Sequence, residues 1–209
     1  MIRQEIITYI EQNILPMYDN FDRGHRRDHA LQVIERSAQL ARDFDVNEEM
    51  VYTVAAYHDT GLKYGREQHH TDSARIIRSD KELLRWFSEE QIATIADAAE
   101  DHRASAEHAP RTIYGRIVAE ADRLIIPELI LRRTVQYSLA NYPALNKQGH
   151  WLRSLEHLHE KYDEGGYLRV WIEESDNGER LRELRKIIAN RTLLREMFDK
   201  IFQEEENKK

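Results

Sequence analysis

The chain predicts an all-α fold, and three observations carry that reading. Apolar residues recur at helical spacing nearly from end to end, Gly and Pro fall between the periodic stretches, and no alternating run is long enough for a sheet. At 209 residues the chain suits a single helical domain, or one domain with a helical appendage.

The elements follow in order. Ile6, Ile7, Ile10 and Ile14 form one stripe that Pro16 is expected to end. A second helix reads from about Asp28 to Phe44, with Val33, Ala38, Leu40 and Ala41 among its buried residues. Asn47 caps a third, in which Val51, Val54, Ala55 and His58 share a face, and Gly61 and Gly65 stop it. A fourth covers roughly Glu67 to Ser79. Ser88 opens a fifth, with Ile92, Ile95, Ala99 and His102 on one side. Pro110 and Thr112 introduce a sixth that ends near Ile126, and Pro127 occupies the first turn of a seventh. Trp151, Leu155, Leu158 and Tyr162 mark an eighth, closed by Gly165 and Gly166. Arg180 to Glu204 reads as one long charged helix, and residues 204–209 as a solvated tail. The only segment with extended character is YLRVWIE, residues 167–173.

Composition narrows the function. Hydrophobic residues at 41% and charged residues at 33% allow both a core and a solvated surface. A net charge of −7 argues against general nucleic-acid binding, although a metal in a cleft still admits an anionic substrate. With no cysteine, disulfides, thiolate metal sites and a cysteine nucleophile are excluded. The first residues lack the apolar run of a signal peptide, and no stretch approaches membrane-spanning length, so a cytoplasmic location is the expectation. A homodimer is the candidate assembly, with the charged last helix as its candidate element.

Seven of the ten histidines precede residue 110, which places the chemistry early in the chain. His58 is in phase with Val51, Val54 and Ala55, and so faces inward. A single inward histidine is most simply a core residue bonded to backbone, since leaving it unpaired costs about 1–3 kcal/mol. The pattern recurs, however. His102 is in phase with Ile92, Ile95 and Ala99, Asp122 lies one turn beyond Val118, and His29 lies one turn before Val33. Inward His and Asp residues on separate helices, without cysteine, point to a divalent cation with nitrogen and oxygen ligands inside a helical bundle.

The ordered set His29, His58-Asp59 and Asp122, the last in EADRL, resembles the HD superfamily of metal-dependent phosphohydrolases over roughly residues 20–130. The resemblance implies an HD-domain-like helical bundle at about 20–130, with additional C-terminal helices at about 131–209. It implies that His29, His58, Asp59 and Asp122 ligate one divalent metal (Mn, Fe, Co, Ni, Mg or Zn), and that Asp59 can bridge to a second. Branches with two metals add two histidines, which here are His102 and one of EQHHTDSARII. The family pattern selects His69, whereas helical phase with Ala74 and Ile77 favours His70. One ion with four ligands and two ions with six both stay open.

The activity so implied is hydrolysis of a small phosphorylated molecule, a nucleotide or nucleotide-derived compound, by metal-activated water. Asp59 takes the catalytic role, with Lys63 and Arg103 as the phosphate-facing cations nearest the ligands in sequence. Arg26, Arg27 and Arg123 are further candidates. Two alternatives share the pattern: a mixed-valence di-iron oxygenase and a non-catalytic nucleotide sensor. His157 and His159 lie two apart and face different ways, so they are not a chelating pair. His25, His108 and His150 read as solvated, and Trp86, Phe87, Tyr137 and Tyr142 as core.

Overall fold

The computed structural model describes residues 1–22, 24–106, 108–173 and 175–208, which contain ten α-helices and no strand. The all-α expectation holds. The chain divides into two compact units, Met1–Arg123 and Leu124–Lys209.

The first unit begins with α1 (Gln4–Tyr9), a π-helical turn (Ile10–Ile14) and a 3-10 helix (Leu15–Asn20). Ile6, Ile10 and Ile14 are buried as their spacing predicts. Pro16 does not end the segment. It sits in the first turn of the 3-10 helix, where its missing N–H has no helical partner to lose. α2 (Arg27–Ala41), α3 (Glu48–Tyr57), α4 (His69–Ser79), α5 (Glu89–Glu100) and α6 (Ile113–Asp122) follow. Short 3-10 turns at Thr60–Tyr64 and Lys81–Arg85 lie on either side of α4.

In α2 the buried line is Ala30, Val33, Ser37 and Ala41, while Ala38 is exposed and Leu40 only half-buried. Ser37 at the inward position displaced the expected face by one residue. Val54, Ala55, Tyr57, Ala74, Ile77, Ile95, Ala99 and Val118 join the core with no exposed surface. Phe87 is buried as expected, and Trp86 is half-buried against Tyr9, with ring centroids 5.4 Å apart.

Helix ends are set by side chains. Asn47 accepts hydrogen bonds from the backbone N–H groups of Glu49 and Met50. Ser88 and Gln91 form a reciprocal cap at the start of α5: the Gln91 N–H donates to the Ser88 hydroxyl, and the Ser88 N–H donates to the Gln91 side chain. Ser88→Ala should therefore destabilise the chain by about 1 kcal/mol in chemical denaturation, with no change in site geometry.

The second unit contains α7 (Pro127–Asn141), α8 (Lys147–Tyr162), α9 (Asp176–Ala189) and α10 (Arg191–Glu206) around Leu131, Val135, Leu158, Leu184, Phe198 and Phe202. Pro127 opens α7 as its position predicts. The expected helix over 180–204 is two helices, because Asn190 leaves the helical path (φ −87°, ψ 87°) and caps α10 by accepting from Leu193 N–H. Residues 167–173 form no strand. Of the expected tail, residues 204–206 belong to α10 and residue 209 lies outside the described residues; Glu205 is buried and accepts from Arg132, Gln136 and Lys208. Tyr137 and Tyr142 are exposed rather than core, with the Arg153 guanidinium against both rings. His150 is buried, its Nδ1 2.7 Å from the Ser138 hydroxyl, so it is not solvated. No helix among the described residues is long and apolar enough to cross a membrane.

Candidate metal centre

The end of α3 shows why the His-Asp doublet stands where it does. A helix leaves its last carbonyls without helical partners. Here three consecutive ones are taken by side chains. His58 Nδ1 donates to Ala55 O (2.7 Å), Tyr18 Oη donates to Ala56 O (2.9 Å), and Thr60 Oγ1 donates to Tyr57 O (2.8 Å). Tyr18 Oη also accepts from Asp59 N–H at 3.2 Å, which fixes the doublet's backbone. Sequence reading did not single out Tyr18, whose burial alone marks it as ordinary core.

Two more histidines repeat the arrangement. His102, just past α5, donates from Nδ1 to Ala99 O (2.5 Å), and His69, the first residue of α4, donates to Arg66 O (2.8 Å). A carbonyl can only accept, so each of these rings, in its neutral form, carries its proton on Nδ1 and turns a bare Nε2 lone pair inward.

These lone pairs converge on Asp59, whose two oxygens divide between two groups. Oδ2 lies 3.2 Å from His58 Nε2 and 3.6 Å from His29 Nε2. Oδ1 lies 3.4 Å from His102 Nε2 and 3.5 Å from His69 Nε2. Asp122 Oδ1 joins the first group at 3.2 Å from His29 Nε2 and 3.9 Å from His58 Nε2. Within the groups, His29 and His58 face each other at 3.4 Å, and His69 and His102 at 3.3 Å. His58, His102 and Asp59 are buried, whereas 26% of the Asp122 side chain stays open to solvent.

Such a cluster is almost all acceptor. Carboxylate oxygens and imidazole lone pairs at these separations have nothing to bond to one another, and burial makes that costly. Only a cation resolves it, and the two triads His29–His58–Asp59 and Asp59–His69–His102 can each hold a metal ion. The nitrogen and oxygen donors suit a borderline or hard divalent ion, and the outer hydrogen bonds to carbonyls are those that orient metal-binding imidazoles.

Without a metal, protons fill the role. Burial disfavours a charged His29, but its hydrogen bonds to Asp122 and Asp59 outweigh that and lift its pKa to about 10. Burial likewise opposes ionisation of Asp59, and the field of His58 with hydrogen bonds from His102 and His29 overrides it, holding the carboxylate well below its usual range. Asp122 is held low in the same way, chiefly by His29. His69 goes the other way, pushed down to about 4 by burial and by His102. A cation entering at neutral pH must therefore displace the proton on His29. With the His102 pKa raised as well, apparent metal affinity should rise by about tenfold per pH unit for each proton displaced, with proton release measurable by calorimetry in two buffers.

The remaining sequence candidates separate cleanly. His69 reaches the cluster. His70 does not, standing beside Arg103 with its Nδ1 3.5 Å from Arg103 Nη1 and its pKa lowered by burial and by that charge. Arg103 is anchored next to the centre: Nη1 donates to Glu67 O (2.7 Å) and Nε to the Ser105 hydroxyl (3.0 Å). Lys63 is exposed and extends over the Tyr64 ring, 5.6 Å from its centroid. Arg26 is exposed, Arg27 pairs with Asp19 at 3.3 Å, and Arg123 is buried directly behind Asp122. His25 pairs with Asp22 at 2.8 Å, with its ring against His29, and His108 is exposed. In the second unit His159 pairs with Asp163, while His157 is half-buried and pushed down to about 4 by burial, Lys161 and Arg153. His157→Ala should leave metal content unchanged, as read by elemental analysis.

Comparison with known proteins agrees with this geometry. Searches of the curated proteins and of the solved structures gave no match. The family model described as HD domain matches residues 26–125, a segment that contains all six converging side chains. Residues 26–125 therefore match the HD domain, the domain of a superfamily of metal-dependent phosphohydrolases.

Proposed function

We propose that the protein hydrolyses a phosphate ester of a small molecule, with a nucleotide or nucleotide-derived compound as the substrate class, and that it holds two divalent cations to do so. The observation that carries the two-cation reading is the division of the Asp59 carboxylate, one oxygen toward His29 and His58 and the other toward His69 and His102. In this reading His29, His58, Asp59 and Asp122 hold one ion, and Asp59, His69 and His102 the other. Divalent cations in such a site supply Lewis acidity to a phosphoryl oxygen and lower the pKa of water.

The protein's own groups do the rest. Asp59 holds both halves of the site at a fixed separation. Arg103 supplies a fixed positive donor beside His69 and His70, the geometry a phosphate oxygen requires, and its anchoring to Glu67 O keeps it there. Lys63, pointing along the surface, is not assigned a role in the reaction. The nucleotide class rests on the family resemblance and the phosphate chemistry together.

Protein loaded in turn with Mn, Fe, Co and Ni should release phosphate from aryl phosphates or from nucleotides, and Arg103→Ala should raise KM more than it lowers kcat. Absence of turnover with every metal across a broad panel of phosphate esters contradicts the proposal.

A further inference from the structure

Two residues after Asp59, the chain passes within touching distance of α4. A Cβ at Gly61 would lie 1.9 Å from the carbonyl oxygen of His69, 2.6 Å from the backbone nitrogen of Ser73 and 2.8 Å from Asp72 Cβ. Among the described residues Gly65 is the glycine with positive φ, so Gly61 is required by space and not by backbone conformation. Two of the three obstructing atoms are backbone, and no rotamer change removes them. The approach is sealed by a hydrogen bond in which Gly61 N–H donates to the fully buried Ser73 hydroxyl at 2.9 Å.

We propose that Gly61 and Ser73 are positioning residues for His69, setting one half of the donor cluster through a backbone contact that admits no side chain. The inference rests on the two-cation reading above. Any side chain at 61 must drive the first turn of α4 away by about 1 Å or more, beyond the roughly 0.5 Å tolerance of a metal ligand. His69 is the donor on that turn. His29 and Asp122 stand on α2 and α6, and His58 directly follows α3, so none of them is carried by α4 and the damage is one-sided.

The test is equilibrium dialysis against manganese(II) alone, followed by elemental analysis, on wild type, His69→Ala, Gly61→Ala and Ser73→Ala. Wild type should bind about two ions per chain and Gly61→Ala about one, at wild-type affinity, as His69→Ala does. Ser73→Ala adds no atom; it should keep both ions while weakening the second by about tenfold or more. A variant that were merely less stable would not lose one ion and keep the other. Gly61→Ala that retains both ions at full affinity, or loses both while circular dichroism shows it folded, overturns the inference. Should Gly61→Ala not fold, Ser73→Ala decides, and wild-type affinity for both ions in that variant overturns it equally. Wild type binding fewer than two ions refutes the two-cation reading itself, an outcome visible before any variant is measured.

Discussion

Asp59→Ala is expected to lose both bound cations and to reduce phosphate release by at least about 1000-fold, the consequence of removing a ligand common to two metals. No other side chain in the cluster belongs to both groups. Helical content should be nearly unchanged, because Asp59 sits at the junction of α3 and the following turn, and its backbone remains held by Tyr18. Asp59→Asn, which keeps the shape but loses the charge and one of the two oxygen donors, should fall between. Metal content, turnover and far-UV circular dichroism measured on one preparation separate loss of the site from loss of the fold. Retention of full metal content in Asp59→Ala would contradict the shared-ligand assignment.

The largest effect on stability is expected from Arg111→Ala. Asp101, whose side chain is wholly buried, receives the Arg111 backbone N–H at 2.7 Å and its guanidinium at 2.8–3.1 Å, and Arg111 also reaches Glu100 at 2.6 Å. Gly115 packs close to the Asp101 side chain: a Cβ there would lie 3.3 Å from Asp101 Cβ and 3.4 Å from Oδ2. Removing the guanidinium leaves a buried carboxylate with a single backbone donor, at a cost of about 2–3 kcal/mol; the partial exposure of Arg111 keeps it below the range for fully buried pairs. The same change frees the loop that carries Arg103, so KM should rise in parallel with the fall in stability. A denaturation midpoint equal to wild type would show that the pair contributes nothing net.

Much of this was legible in the residues, for physical reasons that also explain the failures. His58 and His102 share a helical phase with apolar neighbours, and burial of that face turned both inward. Asp122 behaved likewise behind Val118. Phase misled at His69 and His70, because it describes the interior of a helix and His69 is the first residue of α4, where the direction of a side chain is set by what the helix end abuts. That neighbour is Gly61, and a glycine's missing Cβ leaves no pattern to read. Lys63 lies exposed over the Tyr64 ring, because closeness in sequence to Asp59 does not fix direction once the chain enters a 3-10 turn. The break at Asn190 was hidden in continuous charge, where apolar spacing carries little phase, although an asparagine three residues before Leu193 is a cap signal. His150 shows the same blind spot, since a polar residue paired inside a core looks like a surface residue until its partner, here Ser138, is known.

Everything about the site turns on a buried set of acceptors that a cation must complete. The direct measurement is anomalous diffraction from crystals grown with manganese(II). The account predicts two anomalous peaks flanking Asp59, one bounded by His29, His58 and Asp122 and the other by His69 and His102. Manganese bound only at surface carboxylates, with no peak beside Asp59, would contradict it.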